Sequence, residues 1–342
     1  MSTRSRPVCY APPKTPTEQR LAEERADHLG VSESEAPSVS ILVLTRNEAH
    51  NIRQSLPLLL AQSWPGRPEL ILIDSGSSDD TVQVASGYPL KLYRLAPDAF
   101  HHARTRNLAA ELAQGEYLVY LAADALPCAQ TWLAALLRNF ADSTVGAVYG
   151  RHVARPDASI ERRDVLDTMY GPTRMVKSAA CRAELGYRYY HFSTVNCAIR
   201  KKVWQQTRFP QEMNVCEDVA IAARILDAGW KIVYEPDAAV YHSHEFSAAR
   251  LFRRYFDIGV VYRRLNIWSG INRSMLFRDG LRSVRAKLDI SGNHYGIAAR
   301  GSGVCQDAAK FAGLVLGRNE RWLPRAVKRR LSMFGLFECR RY

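Results

Sequence analysis

Single carboxylates standing just beyond apolar runs are the residues of this sequence best placed to do chemistry. Asp74 follows the run 70–73, and Asp124 follows the run 118–121. A carboxylate at the first position can accept hydrogen bonds from a base N–H or a ribose hydroxyl. At the second it can ligate a hard divalent cation that also grips a diphosphate. Either could instead be a plain turn or helix-capping acid. Glu217-Asp218 opens a helix-like run, where the helix dipole favours acids anyway. Its chemical reading is a general base that takes a proton from an incoming hydroxyl. Phe100-His101-His102-Ala103-Arg104-Thr105-Arg106-Asn107 gathers two imidazoles and two guanidiniums at a helix start. Free amides, dipole and arginine forks there all attract phosphate. Tyr241-His242-Ser243-His244 reads as extended, which puts both imidazoles on one face. They could add metal ligands, although such pairs are more often structural.

The flanking pattern explains how these groups would meet. Residues 39–44 form an apolar run suited to a buried parallel strand, with polar Thr45-Arg46-Asn47-Glu48 at its end. Further strands are expected at 70–73, 90–95 and 117–121, and helices at 51–62, 82–86, 104–114 and 131–140. Asp74 through Thr81 combines a turn with a helix start. Strands alternating with helices in this way imply an α/β fold whose mostly parallel sheet is sandwiched by helices. Ligands of such sheets bind beyond the carboxyl ends of the strands. The polar groups at 45–48, 74–81 and 122–125 all fall on that edge. Later come an expected helix at 216–228, short strands at 231–235 and 238–242, helices at 251–264 and 307–316, and a basic segment at 318–330.

Composition narrows the class. The 342 residues are 47% hydrophobic and 24% charged, which excludes wholesale disorder. The seven cysteines are scattered with no CxxC pair, which argues against a zinc ribbon, an iron–sulfur site or a disulfide scaffold. A reducing cytoplasm fits that usage. No apolar segment follows Arg4 and Arg6, so no secretory signal is expected. The longest stretches free of charge reach thirteen residues, whereas a spanning helix needs about 20. Neither a GxGxxG fingerprint nor a P-loop occurs.

The net charge of +13 is unevenly spread. Residues 246–342 hold 20 Lys and Arg against 6 Asp and Glu, and the first 245 residues are close to neutral. We therefore expect a disordered tail at 1–37, a catalytic domain at 38–245, and a basic, amphipathic helical region at 246–342. Phe311, Leu314, Val315, Leu316, Trp322, Leu323, Val327 and Leu331 lie among the arginines of that region. This mixture suits an anionic membrane surface and not a specific nucleic acid.

In this order, the motifs resemble the family 2 glycosyltransferases of the GT-A fold, over roughly residues 38–259. Ser40 to Glu48 is similar to the family's first strand and nucleotide loop, and Ile73 to Thr81 to its base-binding segment. Glu217-Asp218 resembles its ED motif, whose aspartate is usually the catalytic base. Residues 100–107, Leu121 to Pro127, Gly150-Arg151 and Val240 to His244 look most like bacterial rhamnosyltransferases. Two positions depart from the pattern. Ala122 stands where a DxD motif has its first acid, and Ala103 where the rhamnosyltransferase pattern has glycine.

The resemblance implies inverting transfer of a sugar from a nucleotide-sugar, with dTDP-L-rhamnose as the expected donor. The acceptor would be a hydroxyl of a bacterial surface glycan or of a lipid-linked glycan. Asp218 would be catalytic with Glu217 beside it. Thr45, Asn47, Glu48, Asp74, Ser75, Arg104, Arg106, Asn107 and Arg151 would bind the donor. Asp124, His242 and His244 would hold Mg²⁺ or Mn²⁺. The expected location is cytoplasmic, peripheral on the inner face of the plasma membrane. A nucleotidyltransferase on a similar scaffold and a non-catalytic, membrane-associated adaptor stay open as alternatives.

Overall fold

The computed structural model describes residues 38–213, 215–270, 285 and 297–337, so the expected tail at 1–37 lies outside the described residues. The strands are β1 (Val39–Thr45), β2 (Glu69–Asp74), β3 (Lys91–Arg94), β4 (Tyr117–Ala122), β5 (Leu126–Pro127), β6 (Val145–Val153), β7 (Met175–Lys177), β8 (Asn196–Arg200) and β9 (Lys231–Tyr241). They form one sheet in the order β3-β2-β1-β4-β8-β6-β9-β5, with β7 paired to β9. The first four are parallel to their neighbours. β8 then enters antiparallel between β4 and β6, and β6 and β9 are again parallel. The sheet is thus mixed, with the parallel character concentrated in its N-terminal half.

Strand alternation builds two cores. Val39, Ile41 and Val43 face one layer, where helices Ala49–Leu60 and Trp132–Leu137 cover them with Ile52, Leu56, Trp132 and Leu136. Leu42 faces the other layer, closed by helices His102–Leu112 and Glu217–Asp227 through Ala109, Ala110, Ile221 and Ile225. A strand apolar on both sides needs both covers, which is why 39–44 reads as an apolar run broken only by Ser40.

Some elements differ from expectation. The two short strands at 231–235 and 238–242 are a single β9. Its register against β6 shifts where Gly150 pairs with Glu235 and His152 with Val240, so the residues around Pro236 bulge out. The helix expected at 131–140 gives way after Leu137 to a 3₁₀ turn. The helix expected at 307–316 spans Ile297–Arg318, and the basic segment contains a short helix, Arg325–Leu331.

The C-terminal helices are fastened to the body. Val261 of helix Ala248–Arg264 packs with Met213, Val215 and Ala220, next to the start of Glu217–Asp227. Helix Ile297–Arg318 crosses Ala248–Arg264 closely because Gly317 offers no side chain. A Cβ there would lie 2.0 Å from the Phe256 carbonyl oxygen. Among the described residues no helix is long and apolar enough to cross a membrane.

Candidate active site

The β1 end and the β2 turn lock together. Ser75 donates from its backbone N and its Oγ to the Thr45 carbonyl, both at 3.0 Å. Asn47 has φ 55°, and its backbone N donates to Ser77 Oγ at 2.8 Å while its Oδ1 accepts from Ser78 N at 2.8 Å. Glu48 N donates to Thr81 Oγ1 at 2.8 Å. Asp74 is fully buried, and its carboxylate accepts from the backbone N of Gly76 and of Ser77, each at 3.1 Å, and from Ser77 Oγ. Gly76, with φ 81°, supplies the left-handed turn that lets the chain fold back onto that carboxylate. Asp74 and Ser75 therefore shape the loop from within. Thr45 Oγ1, by contrast, is buried at the strand end with no hydrogen-bond partner. A hydroxyl left so is costly unless a ligand engages it.

A second cluster forms where β5 pairs with the end of β9. Leu126 lies opposite Tyr241, which carries the chain after β4 to the HxH segment. His244 Nε2 is 3.1 Å and His242 Nε2 is 3.5 Å from Asp124 Oδ2, and the two Nε2 atoms are 3.2 Å apart. Burial opposes ionisation of Asp124, yet the His244 hydrogen bond and both imidazoles hold its carboxyl below the usual range. Burial pushes His242 down to about 4, so its ring is neutral and its nitrogen lone pair available. One carboxylate and two imidazoles aimed at a common point fit a divalent cation. The nitrogens favour Mn²⁺ over Mg²⁺, which prefers oxygen ligands. Arg155 was not anticipated from sequence. Its Nη2 donates to the Asp124 carbonyl at 2.5 Å and to Asn51 Oδ1 at 3.0 Å, bracing this corner.

The third group surrounds Asp218, the second residue of helix Glu217–Asp227. Cys216 precedes that helix with φ 54°. Neighbouring atoms shield the Asp218 carboxyl, and with the charge of Glu217 beside it this pushes its pKa up to about 7. A hydrogen bond from Val219 N and the cations Arg106 and Arg254 pull the other way. Aromatic rings bridge Asp218 to the Asp124 cluster. Tyr170 feels the Asp218 charge and stacks on His152 with centroids 4.2 Å apart. His152 in turn meets His242 edge-on at 5.3 Å. Neither Tyr170 nor His152 carries a recognisable sequence signal, because only β6 and the end of helix Ile160–Met169 bring them together.

Several expected donor ligands turn out to be committed elsewhere. Asn107 is buried, and its side chain bonds the backbone of Phe209 in both directions and accepts from Trp204 Nε1 at 3.0 Å. It braces the 204–209 segment and does not face the strand-end edge. Arg106 Nη1 donates to Glu217 Oε1 at 2.5 Å. Arg151 Nη2 donates to Asp167 Oδ1 at 3.0 Å. Arg104 stays exposed at the helix start, where its backbone N donates to His101 Nδ1.

Beyond the sheet edge, then, a strand-end loop, a cation cluster and a shielded carboxylate converge, an arrangement that suits transfer of a group from a nucleotide diphosphate donor. Residues 40–207 match the domain described as Glycosyl transferase family 2. An O-antigen chain rhamnosyltransferase of Salmonella anatum, WbaN, is 31% identical over 303 residues, covering 87% of this chain and 95% of that protein. RfbN of Salmonella typhimurium, also an O-antigen chain rhamnosyltransferase, is 30% identical over 78% of this chain and 85% of its own length. This chain belongs to glycosyltransferase family 2 and is an enzyme of sugar transfer, so the nucleotidyltransferase and adaptor alternatives fall away. The fold is shared with a mannosyltransferase from Pyrobaculum calidifontis in complex with GDP-Man and Mn²⁺. That match has a TM-score of 0.58 at 20% identity and covers 88% of this chain and 95% of that one. Residues 1–349 of S. aureus TarS match with a TM-score of 0.53 at 15% identity, over 86% of each chain.

The Asp124 cluster makes the first prediction. Mn²⁺ binding, read by the change in its water-relaxation or electron-spin signal on titration, should weaken at least about tenfold in Asp124→Asn and in His244→Ala. Equal affinity in wild type and both variants would remove the cluster as the cation site.

Proposed function

We propose that the enzyme transfers L-rhamnose from dTDP-L-rhamnose, with inversion, to a hydroxyl of a bacterial surface glycan or of a lipid-linked glycan. The position and shielded environment of Asp218 carry the mechanistic part of this reading. A carboxylate with its pKa near 7 is basic enough to accept a proton, and is ionised in a useful fraction at neutral pH. Asp218 takes the acceptor's proton as the acceptor oxygen attacks the anomeric carbon. The bond from that carbon to the diphosphate oxygen breaks on the opposite face. One base suffices, since no sugar becomes attached to the protein.

Thr45, Asn47, Glu48 and the Asp74–Ser75 turn would receive the nucleotide at the strand ends, with the unpartnered Thr45 hydroxyl as one contact. Arg104 would meet the diphosphate from its helix start. Asp124, His242 and His244 would hold a divalent cation, Mn²⁺ by preference, which when bound supplies counter-charge to the departing diphosphate. The rhamnose assignment is supported by the two Salmonella rhamnosyltransferases, similar to this chain over most of its length.

The place of work proposed is the anionic inner face of the cytoplasmic membrane. Among the described residues, Phe311, Val315, Trp322 and Val327 are exposed apolar side chains of the basic C-terminal region, and Trp322 is 74% exposed. Arg321 lies over the Trp322 ring at 5.2 Å. Basic residues near an anionic leaflet contribute about 1 kcal/mol each, and a tryptophan suits the headgroup zone.

Two measurements test the proposal. With dTDP-L-rhamnose as donor, Asp218→Asn should lose about 10²–10⁴-fold in turnover while donor affinity is nearly unchanged. Turnover close to wild type would reject Asp218 as the base, and faster use of GDP-mannose or UDP-GlcNAc would reject the donor. Vesicles containing anionic lipid should sediment the enzyme at low salt and release it at high salt, as screening requires. Equal binding to neutral vesicles would contradict the electrostatic account.

A further inference from the structure

We propose that Arg106 is a positioning residue for the catalytic base and not a ligand of the donor: its ion pair with Glu217 ties the helix that starts beside the donor loop to the helix that carries Asp218. This rests on the reading of Asp218 as the base. Arg106 and Arg104 stand two apart on helix His102–Leu112, so they point to different sides of it. Arg104 is exposed, whereas the Arg106 side chain is only 14% exposed and its partner Glu217 only 9%. Arg106 Nη1 is 2.5 Å from Glu217 Oε1 and 3.4 Å from His102 Nδ1. The Arg106 carbonyl also accepts from Tyr120 on β4 at 3.3 Å, which fixes this turn of helix to the sheet.

The pair matters because of what else surrounds Asp218. Glu217 on its own helix, Cys216 just before it, Arg254 and Tyr262 on helix Ala248–Arg264, and Tyr170 and Cys197 all lie within range of its charge. The only other acid in that set is Glu217, and Arg106 is the cation in contact with it. Two adjacent carboxylates shielded from water resist being ionised together, so without Arg106 the pair would retain a proton to higher pH. Without the Glu217 charge, Arg106 would be left to favour the ionised form of Asp218. Removing the two partners should therefore move the base in opposite directions. A donor-binding arginine would show no such pattern, and neither would a purely structural brace.

The test follows kcat/KM against pH for wild type, Arg106→Met, Arg106→Lys, Glu217→Gln and the double variant Arg106→Met/Glu217→Gln. The acid limb should rise by about one unit or more in Arg106→Met and fall in Glu217→Gln. It should return toward wild type in the double variant and stay near wild type in Arg106→Lys. Donor KM should change little in all four. A raised donor KM with an unmoved acid limb in Arg106→Met would overturn the proposal in favour of diphosphate binding. Lower thermal stability with an unmoved limb would overturn it in favour of a structural brace. If Arg106→Met does not fold, Arg106→Gln, which keeps a polar side chain without the charge, is read for the same rise. The Asp218 carboxylate band, assigned by infrared difference against Asp218→Asn without substrates, separates the two readings. A band that titrates at higher pH in Arg106→Met supports the pairing even if Asp218→Asn keeps its turnover, and a band that does not move in that variant rejects it.

Discussion

β1 ends level with both neighbours: Thr45 pairs with Asp74 on β2, and Leu44 with Ala122 on β4. That shared register is the constraint on which the rest of the site depends. It stacks three polar turns at one edge of an otherwise apolar layer, where buried strand-end amides and carbonyls must find partners. The Ser75 bonds to the Thr45 carbonyl and the Asn47–Ser78 and Glu48–Thr81 contacts answer that demand. The strand-end loop is thus held in place by its own bonds, so little conformational entropy would be lost if a ligand bound there.

The second half of the site comes from the opposite wing of the sheet. β8 runs antiparallel into β4 and lets β6 and β9 join beyond it, and β9 then returns to pair with the two-residue β5. This closure alone brings Asp124 to His242 and His244, from segments far apart in the chain. Where a DxD motif has its first acid, Ala122 stands here, and the cluster instead gathers two imidazoles from the segment just after β9. The stack from His242 through His152 to Tyr170 spaces that cluster from Asp218 with rigid rings, which hold their geometry better than flexible side chains. On the proposed reading, departing diphosphate and arriving acceptor would be served by separate groups, as a single displacement requires.

Much of this was legible in the residues. The apolar run at 39–44, broken only by Ser40, announces a strand covered on both faces, and polar loops after successive strands announce the ligand edge. The HxH spacing placed two imidazoles side by side, as the 3.2 Å between their nitrogens shows. Illegible were the partners chosen across the fold. Asn107, Arg106 and Arg151 have the chemistry of donor ligands, but each is met by a group distant in sequence: the Phe209 backbone, Glu217 and Asp167. Local pattern reveals which groups a residue can bond, and not which neighbour will stand there. His152 and Tyr170 escaped notice for the same reason. The antiparallel entry of β8 was equally hidden, since a buried strand reads the same in either direction.

The central claim is that one carboxylate, Asp218, deprotonates the acceptor while the donor bond breaks on the opposite face. The anomeric configuration of the freshly formed product, read from its one-bond carbon–proton coupling by NMR, tests this most directly. The account predicts a configuration opposite to that of the donor, from the first turnover onward. Retention of the donor's configuration would contradict it, since that outcome needs a second displacement or a front-face path that Asp218 cannot supply alone.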